Sequence, residues 1–230
     1  MSKHIVITGG GSPGKFGNDF ALKARSEGHR VTIFSHRDYN TNHPDDHVLD
    51  YFNYEKSKQT LQQVKENLGP IDVLYFNHNG GCFPYKDEEL LSEPDIFRYN
   101  ISLHSAVCIP HLMVVLFNDN LVDGARVVFT SSTIMYELHY PKGASGVGYA
   151  GQRAWATYLM RGFANTRTRN ITYSGLSPYI NYDDRQHYAN TLIKTYDHVL
   201  NHDDSFNGCI AHLHAGNRGW GKIIINGTLT

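Results

Sequence analysis

The feature that most limits how this chain can fold lies near its N-terminus. A short apolar run, His4-Ile-Val-Ile-Thr8, passes without a spacer into Gly9-Gly-Gly-Ser-Pro-Gly-Lys-Phe-Gly17, so five of the ten residues from Thr8 to Gly17 are glycine. Such a run reads as a parallel strand buried on both faces, and its turn must open directly into a helix. Glycines there let the main chain come close to a pyrophosphate, while the helix N-terminus behind them offers free N–H groups. Gly11, Gly14 and Gly17 follow a GxxGxxG spacing rather than the usual GxGxxG, and Pro13 removes one donor from the loop.

Strand and helix patterns alternate through the rest of the chain. A helix from about Lys15 to Ser26 closes at Gly28, and Arg30–Ser35 and His47–Asp50 read as the second and third strands. A helix from Tyr54 to about Asn67 stops at Gly69-Pro70, and Ile71–Asn77 is the fourth strand. A long helix from Pro94 toward Phe117, bent or interrupted by Pro110, precedes a strand at Ala125–Ser131. The series continues with a helix from Gly148 to about Thr166, a strand at Asn170–Leu176, a helix near Arg185–Leu200 and a last strand at Lys222–Asn226. This order predicts an α/β fold, a three-layer αβα sandwich around a doubly wound parallel sheet of about seven strands. With no repeat, low-complexity tract or linker, residues 1–230 read as a single nucleotide-binding domain.

Charge and composition narrow the function classes. A formal net charge of −1 gives no bulk attraction to nucleic acid or to an anionic membrane. No apolar run approaches the roughly 20 residues of a membrane helix. The N-terminus enters the first strand at once and shows no signal-peptide pattern, while Cys82, Cys108 and Cys209 stand far apart, as reduced thiols do; a cytoplasmic location is expected. Among 14 histidines the closest pairs are His43 with His47 and His212 with His214, and no Cys-x-x-Cys or His-Glu-x-x-His accompanies them. A protein-bound metal is therefore not expected.

The end of the second strand indicates which dinucleotide fits. An acidic residue there would accept from the adenosine ribose hydroxyls and repel a 2′-phosphate. Ser35-His36-Arg37 occupies the position instead, with Asp38 one place later than expected. Ser35 and Arg37, helped by Lys15 of the glycine loop, suit a phosphate, so NADP is favoured over NAD. Asp50 and Tyr51, ending the third strand, are expected beside the adenine.

Taken in order, these motifs and those that follow resemble the short-chain dehydrogenase/reductase family in its compact, single-domain form. The resemblance covers nearly the whole chain. It rests on Thr8-Gly9 with Gly14 and Gly17, Asp50, Asn77-His-Asn-Gly80, Asn100, Ser131-Ser132, Tyr149 with Arg153, and Ser177-Pro178. The sheet it implies is Rossmann-type. The family's Asn-Asn-Ala-Gly turn is matched at Asn77 and Gly80, with Asn79 also placed near the cofactor. Its relay asparagine corresponds to Asn100 and its substrate-orienting serine to Ser132. Phe16, Pro178 and Ile180 fall at positions that touch the dinucleotide. A homodimer or homotetramer built on the long fourth and fifth helices is also implied, as is a small-molecule carbonyl or alcohol substrate.

Two departures concern the chemistry. From Ser132 to Tyr149 the chain is about four residues longer than the family pattern, and the loop 133–148 must hold the excess, bringing Tyr136, His139 and Tyr140 toward a substrate cavity. The family's lysine, four residues after its tyrosine, is replaced by Arg153. Spacing of four puts both side chains on one helical face. Tyr149 would act as the acid/base, and forming its phenolate at neutral pH costs roughly 4 kcal/mol, from a free pKa of about 10. A fixed guanidinium lowers that cost and can still reach a ribose hydroxyl, but it does not release a proton. The alternatives are a nucleotide-binding or regulatory protein without turnover and an NAD-dependent sugar epimerase, the latter disfavoured because little chain follows the last strand.

Overall fold

The computed structural model describes residues 1–39, 43–51, 53–77, 104–131, 144–178, 180, 182–202, 204–213 and 220–223. Strand β1 (His4–Thr8) is followed by helix α1 (Phe16–Ser26), β2 (Arg30–Ser35), β3 (Asp46–Val48), α2 (Tyr54–Leu68) and β4 (Ile71–Phe76). A π turn at His104–Cys108 continues into α3 (Ile109–Leu116), then β5 (Leu121–Thr130), α4 (Ala144–Thr166), β6 (Thr172–Ser177), α5 (Arg185–Asn201), β7 (Ile210–Leu213) and β8 (Trp220–Ile223). The eight strands form one sheet in the order β3-β2-β1-β4-β5-β6-β7-β8. Every pairing from β3 to β7 is parallel, and β8 runs antiparallel to β7. The expected Rossmann-type sheet is present.

Alternation along the strands separates two cores. Val6, Phe34, Leu74, Phe76, Val127 and Phe129 face α2, α3 and α4, where Leu61, Met113, Phe117 and Met160 complete one cluster. Ile5, Ile7, Val31, Ile33, Val73 and Val128 face α1 and α5 on the other side, with Phe20, Ala24, Tyr196 and Val199. These are the period-two strands and one-sided helices that a three-layer sandwich requires. Phe20 is fully buried between the rings of Tyr75 and Tyr196, at 5.2 and 5.3 Å.

Helix boundaries follow local chemistry. Asn53 caps α2 by accepting from Lys56 N at 3.0 Å, and Asp184 caps α5 by accepting from His187 N at 3.0 Å. Gly28, at φ 82°, ends α1 in the left-handed region that favours glycine.

Two expectations need correction. A seventh strand, Ile210–Leu213, stands where none was expected, and the chain's last strand is an eighth, antiparallel one at Trp220–Ile223; residues 224–226 of the expected strand lie outside the described residues. Pro110 lies in the first turn of α3, directly after the π turn at His104–Cys108, so the expected interruption falls there; residues 94–103 of the expected helix lie outside the described residues. Helix α4 begins at Ala144, so five residues assigned to the loop before Tyr149 are helical. Among the described residues no helix is long and apolar enough to cross a membrane, and no group of three metal-ligating side chains stands together.

Candidate nucleotide-binding site

The strand order reverses between β1 and β4, and at such a switch point the loops leaving the carboxyl ends of the strands splay apart and open a crevice. A cavity of about 340 Å³ fills that crevice. Its floor is the glycine loop. Gly9 turns the chain out of β1 at φ 72°, its N–H donating to the Phe34 carbonyl at 2.9 Å. Gly17, in the first turn of α1, is under close constraint, since a Cβ there would stand 2.2 Å from Asn77 Nδ2 and 2.6 Å from the Gly9 carbonyl oxygen. A Cβ on Gly11 would meet Ser35 Oγ at 2.1 Å. These two glycines exist because other atoms need their space.

Asn77, at the end of β4, holds this arrangement from below. Tyr75 donates its hydroxyl to Asn77 Oδ1 at 3.1 Å, which turns the amide nitrogen toward the glycine loop. Tyr75 is fully buried, and burial pushes its phenol up while the nearby Arg153 charge opposes the shift.

The adenosine-side wall comes from the end of β2. Ser35 is buried with no hydrogen-bond partner for Oγ, the kind of hydroxyl that a ligand satisfies. His36 lines the cavity beside it, stacked on Tyr51 at 6.2 Å and edge-on to Tyr39 at 6.2 Å. Burial and the neighbouring Arg37 hold the His36 imidazole below its ordinary range. Arg37 lies outside the main cavity, on a small adjoining hollow of about 30 Å³ that shares Gly11, Ser35 and Tyr39 with it.

The opposite wall is built by β5, α4 and the segment after β6. Arg153 is only 4% exposed, lines the cavity, and donates from Nη1 to the Thr130 carbonyl at 2.7 Å. Ser131 lines the cavity too, its hydroxyl 3.2 Å from Thr157 Oγ1, and Thr157 donates to the Arg153 carbonyl. Pro178, Ile180 and Tyr182 close this side.

The expected site residues therefore divide. Gly9, Gly11, Lys15, Phe16, Gly17, Ser35, Asn77, Arg153, Pro178 and Ile180 meet around one cavity. Thr8, Gly14, Arg37, Asp50 and Tyr51 do not line it. Thr8 is buried under the loop and bonded to the Tyr51 phenol, whose hydroxyl also donates to the Phe34 carbonyl at 3.3 Å. Tyr51 is thus a core residue that supports His36 from behind. Asp50 faces Lys56 at 3.4 Å, near the start of α2. Tyr149 lies on α4 one turn before Arg153, with its side chain outside the described residues, as are Asn79, Gly80, Asn100 and Ser132 entirely. Sequence reading missed Ser12, His36, Tyr39, Thr130, Ser131 and Tyr182 as wall residues. For Thr130 and Ser131 a signal existed, since the end of a central parallel strand faces the crevice.

No protein-family model and no curated protein matches this chain. Solved structures do match it. A blue fluorescent protein from a metagenomic library, in complex with NADPH, superposes with a TM-score of 0.72 at 17% identity, over 94% of this chain and 98% of that one. An oxidoreductase of the short-chain dehydrogenase/reductase family from Brucella ovis, in complex with a partially ordered NAD, gives 0.70 at 18% identity, over 93% and 100%. A short-chain dehydrogenase from Salmonella enterica serovar Typhi gives 0.69 at 17% identity, over 91% and 95%. The chain has the short-chain dehydrogenase/reductase fold.

Proposed function

We propose that residues 1–230 form a single dinucleotide-binding domain of the short-chain dehydrogenase/reductase type, which transfers hydride between NADP(H) and a small carbonyl or alcohol substrate. The observation that carries this reading is one cavity with a glycine loop on its floor, a ligandless buried hydroxyl at Ser35 on one wall and the Arg153 guanidinium on the other. The residues present fit a dinucleotide. A Cβ-free loop admits a pyrophosphate, Ser35 with His36 and Tyr39 suits an adenosine ribose, and the Pro178–Ile180 side suits the nicotinamide half. Ser35 and Arg37 on the adjoining hollow support NADP over NAD; of the two carboxylates that share the hollow, Asp38 follows Arg37 directly and Asp46 is paired with Arg25.

The bound nicotinamide would supply or accept the hydride; the protein's share is positioning and proton transfer. Tyr149 is the acid/base, giving its phenolic proton to the carbonyl oxygen in reduction and recovering it in oxidation. Arg153, one turn away on α4, holds a permanent charge at the end of β5 that favours the phenolate, and its guanidinium lines the cavity where a ribose hydroxyl would lie. Ser132 orients the substrate oxygen, and Asn100 supports the proton relay. Because α5 begins at Arg185, only a short segment follows Pro178, which suits an open site and a small substrate. The outer face of α4 exposes Trp155 and Tyr158, which supports self-association into a homodimer or homotetramer.

A second reading, nucleotide binding without turnover, draws on the same Arg153 contact. A guanidinium committed to the Thr130 carbonyl serves as a strut, and unlike lysine it releases no proton. Replacing Tyr149 by Phe separates the readings. In the catalytic case turnover on a carbonyl panel disappears while NADPH affinity stays within about twofold. Turnover that survives the substitution removes Tyr149 from its role, and a folded, nucleotide-bound chain with no activity on any carbonyl supports the second reading.

A further inference from the structure

The glycine loop carries a charged side chain whose place the hydride-transfer reading does not explain. Lys15, exposed at the N-terminus of α1, sits with its ammonium 5.4 Å from the centre of the Tyr182 ring. Tyr182 is exposed but not loose: its ring packs at 5.4 Å on Tyr188, which meets Phe16 edge-on at 5.9 Å. Tyr188 is pinned in turn, its hydroxyl donating to Asp19 Oδ2 at 2.6 Å. The chain of contacts runs from the start of α1 to the start of α5 and back to the glycine loop.

This bracket fixes where Lys15 can act. Tyr182 belongs to the segment after β6, on the far side of β1 from Ser35 and Arg37. Lys15 lines the main cavity and Arg37 the small hollow beside it, so the two cations that the sequence pairs at a 2′-phosphate line different spaces. The Asp19 carboxylate, the one acidic group in the first turn of α1, is engaged by the Tyr188 hydroxyl. An anion at the helix N-terminus meets the Lys15 cation together with the free N–H groups of the first turn.

We propose that Lys15 is a pyrophosphate-binding residue and that Tyr182 positions it, holding the ammonium over the mouth of the loop by a cation–π contact. The inference rests on the nucleotide reading of this cavity. Pro13 removes one main-chain donor from the loop, and the Lys15 charge replaces what that loss takes from anion binding. Direct Lys–phosphate contact is a charge-assisted hydrogen bond, whereas an exposed cation–π contact is much weaker, so the two residues differ in their expected effects.

The test is calorimetric titration of the full chain with ADP-ribose, a probe that carries the pyrophosphate but neither the nicotinamide nor the 2′-phosphate. Lys15→Gln should bind about tenfold more weakly, and its affinity should respond less steeply to salt. Lys15→Arg should bind within about threefold of the parent. Tyr182→Leu should lose about threefold and Tyr182→Phe almost nothing, because the ring face and not the hydroxyl is used. The double variant Lys15→Gln with Tyr182→Leu should be no weaker than Lys15→Gln alone, since Tyr182 acts through the lysine. Unchanged affinity in Lys15→Gln, or full additivity in the double variant, overturns the proposal while leaving the nucleotide reading intact. Failure of the parent chain to bind ADP-ribose overturns both.

Discussion

Arg153 Nη1 donates to the main-chain carbonyl of Thr130 over 2.7 Å, joining the middle of α4 to the last residue of β5. A lysine here would offer one compact ammonium. The guanidinium is a planar fork, able to bond the strand end with one nitrogen and face the cavity with others. The exchange of lysine for arginine thus couples a structural tie to a cavity charge.

Loss of that tie should be visible as loss of stability. Arg153→Met leaves a buried carbonyl without its donor and should lower stability by about 1–3 kcal/mol, measured by urea denaturation. NADPH affinity should fall about tenfold in the same variant. Arg153→Lys keeps the charge and should retain nucleotide affinity within about threefold, measured by titration.

The glycine loop gives a prediction with an internal control. In Gly17→Ala the new Cβ meets Asn77 Nδ2 at 2.2 Å and the Gly9 carbonyl at 2.6 Å, so the loop or α1 must shift. Nucleotide binding should drop at least about tenfold. Gly14, at φ 68°, has nothing within 4 Å and does not line the cavity. Gly14→Ala should lower the melting temperature through backbone strain of about 1 kcal/mol and leave nucleotide affinity nearly unchanged.

Cofactor preference should divide between Ser35 and Arg37. Ser35→Ala removes the ligandless hydroxyl shared by cavity and hollow, and should weaken NADPH and NADH alike, by a few-fold. Arg37→Ala should weaken NADPH about tenfold and NADH hardly at all, since only the former carries the 2′-phosphate. Competition titrations of the two cofactors read the difference directly. Equal effects of Arg37→Ala on both refute a phosphate contact.

Acid should destabilise the fold through His4. Its Nδ1 lies 2.9 Å from the Pro70 carbonyl and Nε2 2.9 Å from Thr32 Oγ1, an arrangement that suits the neutral ring. Burial holds its pKa below the unfolded value near 6.5, as it does for His47. A depressed pKa means the unfolded chain binds the proton first. The stabilisation is therefore full above about pH 6.5 and is lost as pH falls from there through the lower folded value. Thermal unfolding between pH 8 and 5 should show this decline, with a flatter profile in His4→Gln.

Much of the fold was legible because strands and breakers coincide in this chain. Arg30–Ser35 and Ile71–Phe76 are dense apolar runs bounded by Gly28, Gly69 and Pro70, and the strand readings there differ from the structure by at most one residue. Ile210–Leu213 escaped because four residues including a histidine carry no periodic signal, and β6 and β8 on either side supply its pairing. The site was legible where main-chain geometry demands glycine, at Gly11 and Gly17, and where a strand end delivers a residue, at Asn77. It was not legible where a loop folds back. Tyr51 follows β3 in sequence, but its ring turns into the core, and His36 takes the exposed place in front of it. Tyr39 and Tyr182 reach the wall through tertiary packing that no local pattern records.

The central claim is that the crevice between the glycine loop and Arg153 holds a dinucleotide, and titrating the folded chain with NADPH tests it most directly. One-to-one binding in the micromolar range is predicted, abolished or strongly weakened in Gly17→Ala while circular dichroism stays that of the parent. Saturating concentrations of NADPH and NADH that give no binding signal with the natively folded chain would contradict it.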